Sequence, residues 1–206
     1  MARIILVRHG ETEWNRLLKY QGQSDIDLNE VGIEQARKIR DRLAGEKIDH
    51  VYCSDLKRAV TTAEIIASNG NVPELIKKVP LLREMHFGDF EGLNFEEMKT
   101  RFPDMVTERQ MWRNRKADVC APNGESLSQV ADRVKEFLKE LECLGPDETA
   151  LIVAHGGSLQ ILMCLLLGIS PDHWWQIRMS NASVTIMETH EHGAAITLFN
   201  DVCHLE

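Results

Sequence analysis

Two histidines in this 206-residue chain stand just before a glycine, each at the end of a short apolar run. Arg8-His9-Gly10 follows residues 4–7, and His155-Gly156 follows residues 149–154. A third apolar run, 49–53, leads into Ser54-Asp55-Leu56-Lys57-Arg58. If these runs are neighbouring parallel strands, their ends share one crevice, where open α/β sheets bind ligands. A cluster of two arginines and two histidines repels a divalent cation. No H-E-x-x-H or paired-carboxylate motif accompanies it, so no metal and no cofactor is expected. The same cluster suits a phosphoryl group, whose charge spreads over three oxygens as it transfers. Arg8 offers a planar fork of donors. Gly10 lets the backbone approach an oxyanion and adopt positive φ. Arg58 lies early in a helix, whose N-terminus also favours an anion. A histidine can then be the nucleophile, forming a phosphohistidine that water cleaves. It must be neutral to attack, and neighbouring arginine charges favour that form. The leaving alkoxide needs a proton. Leu82-Arg83-Glu84-Met85-His86-Phe87-Gly88-Asp89-Phe90-Glu91-Gly92 supplies three acids. Glu84 is the best candidate if its pocket is dry; Asp89 and Glu91 compete, and local chemistry does not separate them.

Composition narrows the alternatives. Apolar residues make up 43% and charged residues 27%, the usage of an ordinary globular domain. At this length one domain is expected. The formal charge is −8, which argues against nucleic acid or an anionic membrane as partner. The charge is uneven. Residues 1–60 carry 11 basic and 10 acidic groups, whereas residues 61–206 carry 13 and 22. Five cysteines (Cys53, Cys120, Cys143, Cys164 and Cys203) show no C-x-x-C spacing, and no signal peptide is evident. A cytoplasmic protein with reduced thiols is expected. Residues 149–170 hold no charged side chain, long enough to span a membrane. The His155-Gly156-Gly157-Ser158 interruption and the missing aromatic belt point instead to a buried strand, a turn and a buried helix.

The elements that must position these groups follow from periodicity. Residues 4–7, 49–53 and 149–154 read as buried strands. Asn29 caps a helix running to Ala44, and Asp55 caps a second running to Ala67. A third helix spans 158–167. Late strands at 184–187 and 195–198 turn at His192-Gly193. Alternating strands and helices predict an α/β three-layer sandwich: a mostly parallel central sheet with helices on both faces. Residues 81–144 read as a mostly helical excursion over the active site, with helices near 94–101 and 126–144.

The residues quoted so far also resemble a known family. Arg8-His9-Gly10-Glu11-Thr12-Glu13-Trp14-Asn15 is similar to the signature of the histidine phosphatase superfamily, also called phosphoglycerate-mutase-like. Ser54 to Glu64 resembles its second block, Leu82 to Gly92 its third, and Val153-Ala154-His155-Gly156-Gly157 its fourth. The blocks stand in family order and span nearly the whole chain. The resemblance implies that His9 is the phosphorylated nucleophile. It implies that Arg8, Arg58 and His155 hold the phosphoryl oxygens and that Glu84 donates the proton. Asn15, Gln21 and the Gly156 backbone would complete the pocket. Cys53 departs from the pattern, in which a small hydroxyl residue is frequent, and is expected to pack in the core.

The resemblance also bears on substrate. Mutases of this type are longer after the third block, so a monophosphate phosphatase is favoured over a mutase or sugar bisphosphatase. Pro122-Asn123-Gly124-Glu125-Ser126 and Trp112 resemble α-ribazole phosphatases, whereas Asn200-Asp201-Val202-Cys203-His204-Leu205 resembles the ending of broad-specificity members. A small phosphate ester is the expected partner, a homodimer is a candidate assembly, and a non-catalytic phospho-ligand module is the remaining alternative. The 109–116 segment holds four basic groups and Trp112; Trp112 and Arg113 are candidates for substrate selectivity. Trp174 and Trp175 read as core or subunit contact, and His86 and His173 as surface or hydrogen-bonded residues.

Overall fold

Ile4–Val7 can be buried on both sides only if something covers both faces of their strand, and helices do so. A computed structural model describes residues 1–68, 70, 76–105 and 120–206. The strands are β1 (Arg3–Arg8), β2 (His50–Cys53), β3 (Ile76–Lys78), β4 (Thr149–Ala154), β5 (Val184–His190) and β6 (Gly193–Asp201). They form one sheet in the order β3-β2-β4-β1-β5-β6. β1, β2, β3 and β4 run parallel, and β5 and β6 add an antiparallel edge. The helices are α1 (Glu13–Arg16), α2 (Glu30–Arg42), α3 (Lys57–Ala67), α4 (Phe95–Arg101), α5 (Leu127–Glu142) and α6 (Gly156–Leu166).

Alternation along the strands sorts the core into two layers. Ile5, Val7, Val51, Leu151 and Val153 face Ile39 and Leu43 near α2 and Ala59, Ala63 and Ile66 of α3. Ile4, Leu6, Tyr52 and Ile152 face Val130, Val134 and Phe137 of α5 and Leu159 and Leu162 of α6. The α/β three-layer sandwich is therefore as expected. The 149–170 stretch resolves into β4, a turn and α6, and no helix among the described residues is long and apolar enough to cross a membrane.

Several boundaries differ from the sequence reading. Asn29 caps α2 through its side chain, as expected. Asp55 does not cap α3; the cap is Leu56, with no side-chain bond. The Asp55 carboxylate is held instead by Arg83, at 2.7 and 2.6 Å. An ion pair across 28 residues is invisible to local patterning. α6 begins at Gly156, ahead of the predicted Ser158, because His155 is its cap. β3 and α1 are additions to the sequence reading; three and four residues are too short to show a period. Of the 81–144 span, α5 lies on the sheet, whereas Phe90, Met98 and Ala121 form a small satellite cluster around α4. Trp112, Arg113 and the rest of 109–116 lie outside the described residues. Trp174 packs partly buried against the α5–α6 layer.

Candidate active site

β1 and β4 pair in register, with Arg8 opposite Ala154. The next residue on each strand is therefore a histidine. The His9 and His155 rings lie 5.1 Å apart, tilted by 59°. Both are buried, as is Arg58, which reaches the same point from the first turn of α3. Three strand ends thus converge as the sequence implied.

The hydrogen bonds fix both tautomers. His9 Nδ1 lies 2.7 Å from the Gly10 carbonyl, which can only accept. The proton is on Nδ1, and Nε2 keeps its lone pair. Arg58 Nε donates to His155 Nδ1 at 3.1 Å, so His155 carries its proton on Nε2. That Nε2 is buried without a hydrogen-bond partner, and so is Arg8 Nε. Two orphaned donors in one pocket are costly unless an acceptor enters. Burial, then the Arg58 and Arg8 charges, hold His9 well below the ordinary histidine range. Burial and Arg58 do the same to His155. Burial also lowers Arg58, to about 10.

The arginines are aimed by backbone carbonyls. Arg58 donates to Ser24 O at 2.8 Å and Gly22 O at 2.7 Å. Arg8 donates to Met179 O at 2.6 Å. The 22–24 loop is itself held by Glu91, which accepts from Gln23 N and Ser24 N, both at 2.9 Å. Glu91 is thereby committed to structure. Asp89 is exposed and accepts from Asn123 Nδ2. Of the three acids, only Glu84 reaches the His155 turn, where its Oε2 accepts from Gly157 N at 3.0 Å. Its Oε1 accepts from Met85 N at 2.9 Å.

The remaining predicted residues divide. Asn15 Oδ1 accepts from Thr12 N at 3.1 Å and from Asn181 Nδ2 at 3.2 Å, which leaves the Asn15 NH2 as its donor end. Gln21 is buried, with Oε1 on the Thr12 hydroxyl at 2.9 Å. Gly156 stands at the N-terminus of α6, beside Arg8 and Glu84. Gly10 has another reason to be glycine. A Cβ there would overlap the Gly32 carbonyl, so Gly10 permits close packing of α2. Its N–H is taken by Thr62 Oγ1 at 3.2 Å. Cys53 is fully buried among the α2–α3 layer, and burial pushes its thiol up to about 12.

Several supporting residues escaped the sequence reading. Arg133 on α5 donates to the carbonyls of Leu81, Arg83 and Glu84 at 2.8, 2.7 and 3.0 Å. It also pairs with Glu125 at 2.9 Å, and Glu125 accepts from His86 N at 2.8 Å. Together they hold the chain on both sides of Glu84. Gly157 leaves room for the Glu84 carboxylate. Asn181 was equally unforeseen, because nothing marks an asparagine far along the chain as a partner of residues 9–15. Among the described residues, no group of three or more His, Cys, Asp or Glu is arranged to hold a metal ion.

A cationic pocket with two unpartnered donors and one adjacent carboxylate is built to accept an oxyanion's hydrogen-bond acceptors. Residues 4–202 match the histidine phosphatase superfamily (branch 1). The chain belongs to that superfamily, and its activity class is phosphatase. It is similar to phosphoserine phosphatase 1 of Hydrogenobacter thermophilus, 35% identical over all of this chain and 95% of that one. It is 37% identical to the metal-independent phosphoserine phosphatase of Arabidopsis thaliana, over all of this chain and 84% of that one. Among solved structures, the α-ribazole phosphatase of Shigella flexneri superposes with a TM-score of 0.87 at 29% identity, covering 97% of this chain and 96% of that one.

Proposed function

We propose that this protein is a metal-independent phosphomonoesterase that works through a phosphohistidine on His9. The observation that carries the reading is the pair of buried, unpartnered donors, Arg8 Nε and His155 Nε2, beside an unprotonated His9 Nε2. A phosphoryl group is the ligand that supplies acceptors to the first two and an electrophile to the third. His9 Nε2 attacks phosphorus while Arg8, Arg58 and His155 stabilise the charge on the equatorial oxygens. Asn15, Gln21 and the Gly156 N–H border the same space. Glu84 gives its proton to the leaving alkoxide. In the second half, Glu84 takes a proton from water, and the resulting nucleophile cleaves the P–N bond. Phosphate leaves and neutral His9 is restored. The Nδ1 bond to Gly10 holds the attacking nitrogen in one tautomer throughout.

The substrate is a small phosphate ester. Phosphoserine is the first candidate, supported by the two phosphoserine phosphatases at 35% and 37% identity among the relatives. α-Ribazole 5′-phosphate, a broad-specificity role, and a mutase or sugar bisphosphatase activity are the alternatives that the sequence resemblance raised. The test is turnover of a monoester panel containing phosphoserine and α-ribazole 5′-phosphate, in EDTA, by native protein and His9→Ala. Native activity that persists in EDTA and vanishes in the variant is expected, together with acid-labile phosphate trapped on His9. Undiminished turnover in the variant would overturn the proposal.

A further inference from the structure

The segment Asn200-Asp201-Val202-Cys203-His204-Leu205 takes no part in the chemistry above. It packs behind residues 179–183, the link between a 3-10 turn (Pro171–Gln176) and β5. That link clasps the end of β1. Met179 O takes the Arg8 guanidinium at 2.6 Å. Asn181 Nδ2 donates to the carbonyls of His9 and Gly10 at 3.2 and 3.4 Å, and to Asn15 Oδ1 at 3.2 Å. Ala182 N donates to Arg8 O at 3.1 Å, and Arg8 N donates to Ser183 O at 3.3 Å. Ala182 sits at φ +57°, a left-handed conformation that alanine holds only under constraint.

The constraint comes from the late segment. His204 Nε2 donates to Ala182 O at 2.9 Å. Asn200 Oδ1 accepts from Ser180 N at 2.7 Å, and its Nδ2 lies 3.4 Å from Ser180 Oγ. Asn200 is itself at φ +49°, which asparagine tolerates better than most residues. His204 Nδ1 is buried without a partner, which fits a neutral ring with its one proton on Nε2. The segment is anchored to α2: Lys38 Nζ donates to Leu205 O at 2.9 Å, and Arg42 lies 3.6 Å from Asp201. Leu205 packs against the α2–α3 layer.

We infer that Asn200 and His204 are positioning residues of the phosphoryl site: they lock the 179–183 link whose backbone aims Arg8 and holds His9. The inference rests on the phosphatase reading for its kinetic consequence but not for its geometric one. The discriminating pairs are His204→Leu against His204→Gln, and Asn200→Gly against Asn200→Asp. Gln keeps an N–H donor near the place of Nε2, and Leu does not. Gly accepts the backbone conformation without the side chain, and Asp keeps the acceptor for Ser180 N. Each variant is assayed for melting temperature, kcat, KM and vanadate inhibition. The His9 ring resonances are followed in 15N-histidine-labelled protein, assigned by their loss in His9→Ala.

The His204→Leu and Asn200→Gly variants are expected to lose about tenfold in kcat and in vanadate affinity, the scale of a modest misplacement, with KM changed less than about threefold. Their His9 resonances shift. His204→Gln and Asn200→Asp return each readout to within about twofold of native. Folded variants that leave kcat, vanadate inhibition and His9 resonances unchanged overturn the inference, as does a His204→Gln that falls with His204→Leu. Should His204→Leu fail to fold, the Asn200 pair decides. Absence of native turnover on every monoester refutes the phosphatase reading instead, and the His9 resonances then still decide the positioning role.

Discussion

Replacing Gly157 by alanine displaces Glu84 without touching its chemistry. A Cβ at Gly157 would lie 2.5 Å from Glu84 Oε1. Ordinary carbon–oxygen contact is about an ångström longer, and the carboxylate is the flexible partner, so it retreats by roughly that amount. The fold should tolerate the change. Gly157 is the second residue of α6, and alanine improves helix propensity there by up to about 1 kcal/mol. An ångström of misplacement costs catalysis about a hundredfold, or about 2.7 kcal/mol in the barrier. In the half-reaction that phosphorylates His9, which kcat/KM reports, the loss is confined to esters whose leaving group needs the proton. Gly157→Ala should therefore lower kcat/KM about a hundredfold on an alkyl ester such as phosphoserine, whose alkoxide must be protonated. On p-nitrophenyl phosphate, whose leaving group departs as the anion, the loss should stay below about fivefold. The assay is kcat/KM on both esters, with melting temperature as the control. Equal losses on the two esters, or an alkyl-ester rate within about threefold of native, would refute the role given to Glu84.

Neighbouring contacts carry further expectations. Arg58→Lys cannot serve Gly22 O, Ser24 O and His155 Nδ1 at once, so kcat should fall about 10²–10³-fold, measured on the same esters. Arg133→Met strips three carbonyls of their donor and leaves Glu125 with only the His86 and Gln23 donors; a loss of about 1–3 kcal/mol by urea unfolding is expected, with kcat reduced more than KM is raised. His9 and His155 stay neutral when folded but take up protons near pH 6.5 when unfolded. Their contribution is therefore intact above pH 6.5 and is lost as pH falls toward their lowered folded values. The slope is up to about 1.4 kcal/mol per pH unit for each ring, and His155→Asn should make it shallower in urea melts between about pH 7 and 5.

Much of the site was legible because its carriers sit at strand ends. A continuous apolar run followed by His-Gly marks a buried parallel strand and its exit, so the pattern alone pairs His9 with His155. The acid was not legible in the same way. Glu84, Asp89 and Glu91 share one loop, and only folding shows that Asp89 faces solvent and Glu91 accepts the amides of Gln23 and Ser24. Nor does the sequence reveal why residue 10 is glycine. Its neighbour is Gly32, and the close approach serves helix packing.

Period, run length and residue type are local quantities, so the layers, the strand ends and the cationic character of the crevice can be read along the chain. Orientation comes from contacts between distant parts of the fold. Which nitrogen of each histidine holds the proton depends on the Gly10 carbonyl and on Arg58, which lies 97 residues from His155. Which acid reaches the pocket depends on Arg133 and Gly157, and how Arg8 is aimed depends on Met179. Hydrogen bonds are directional, and their partners here come from distant parts of the chain. No composition or spacing encodes those directions; the packed sheet and its helices supply them.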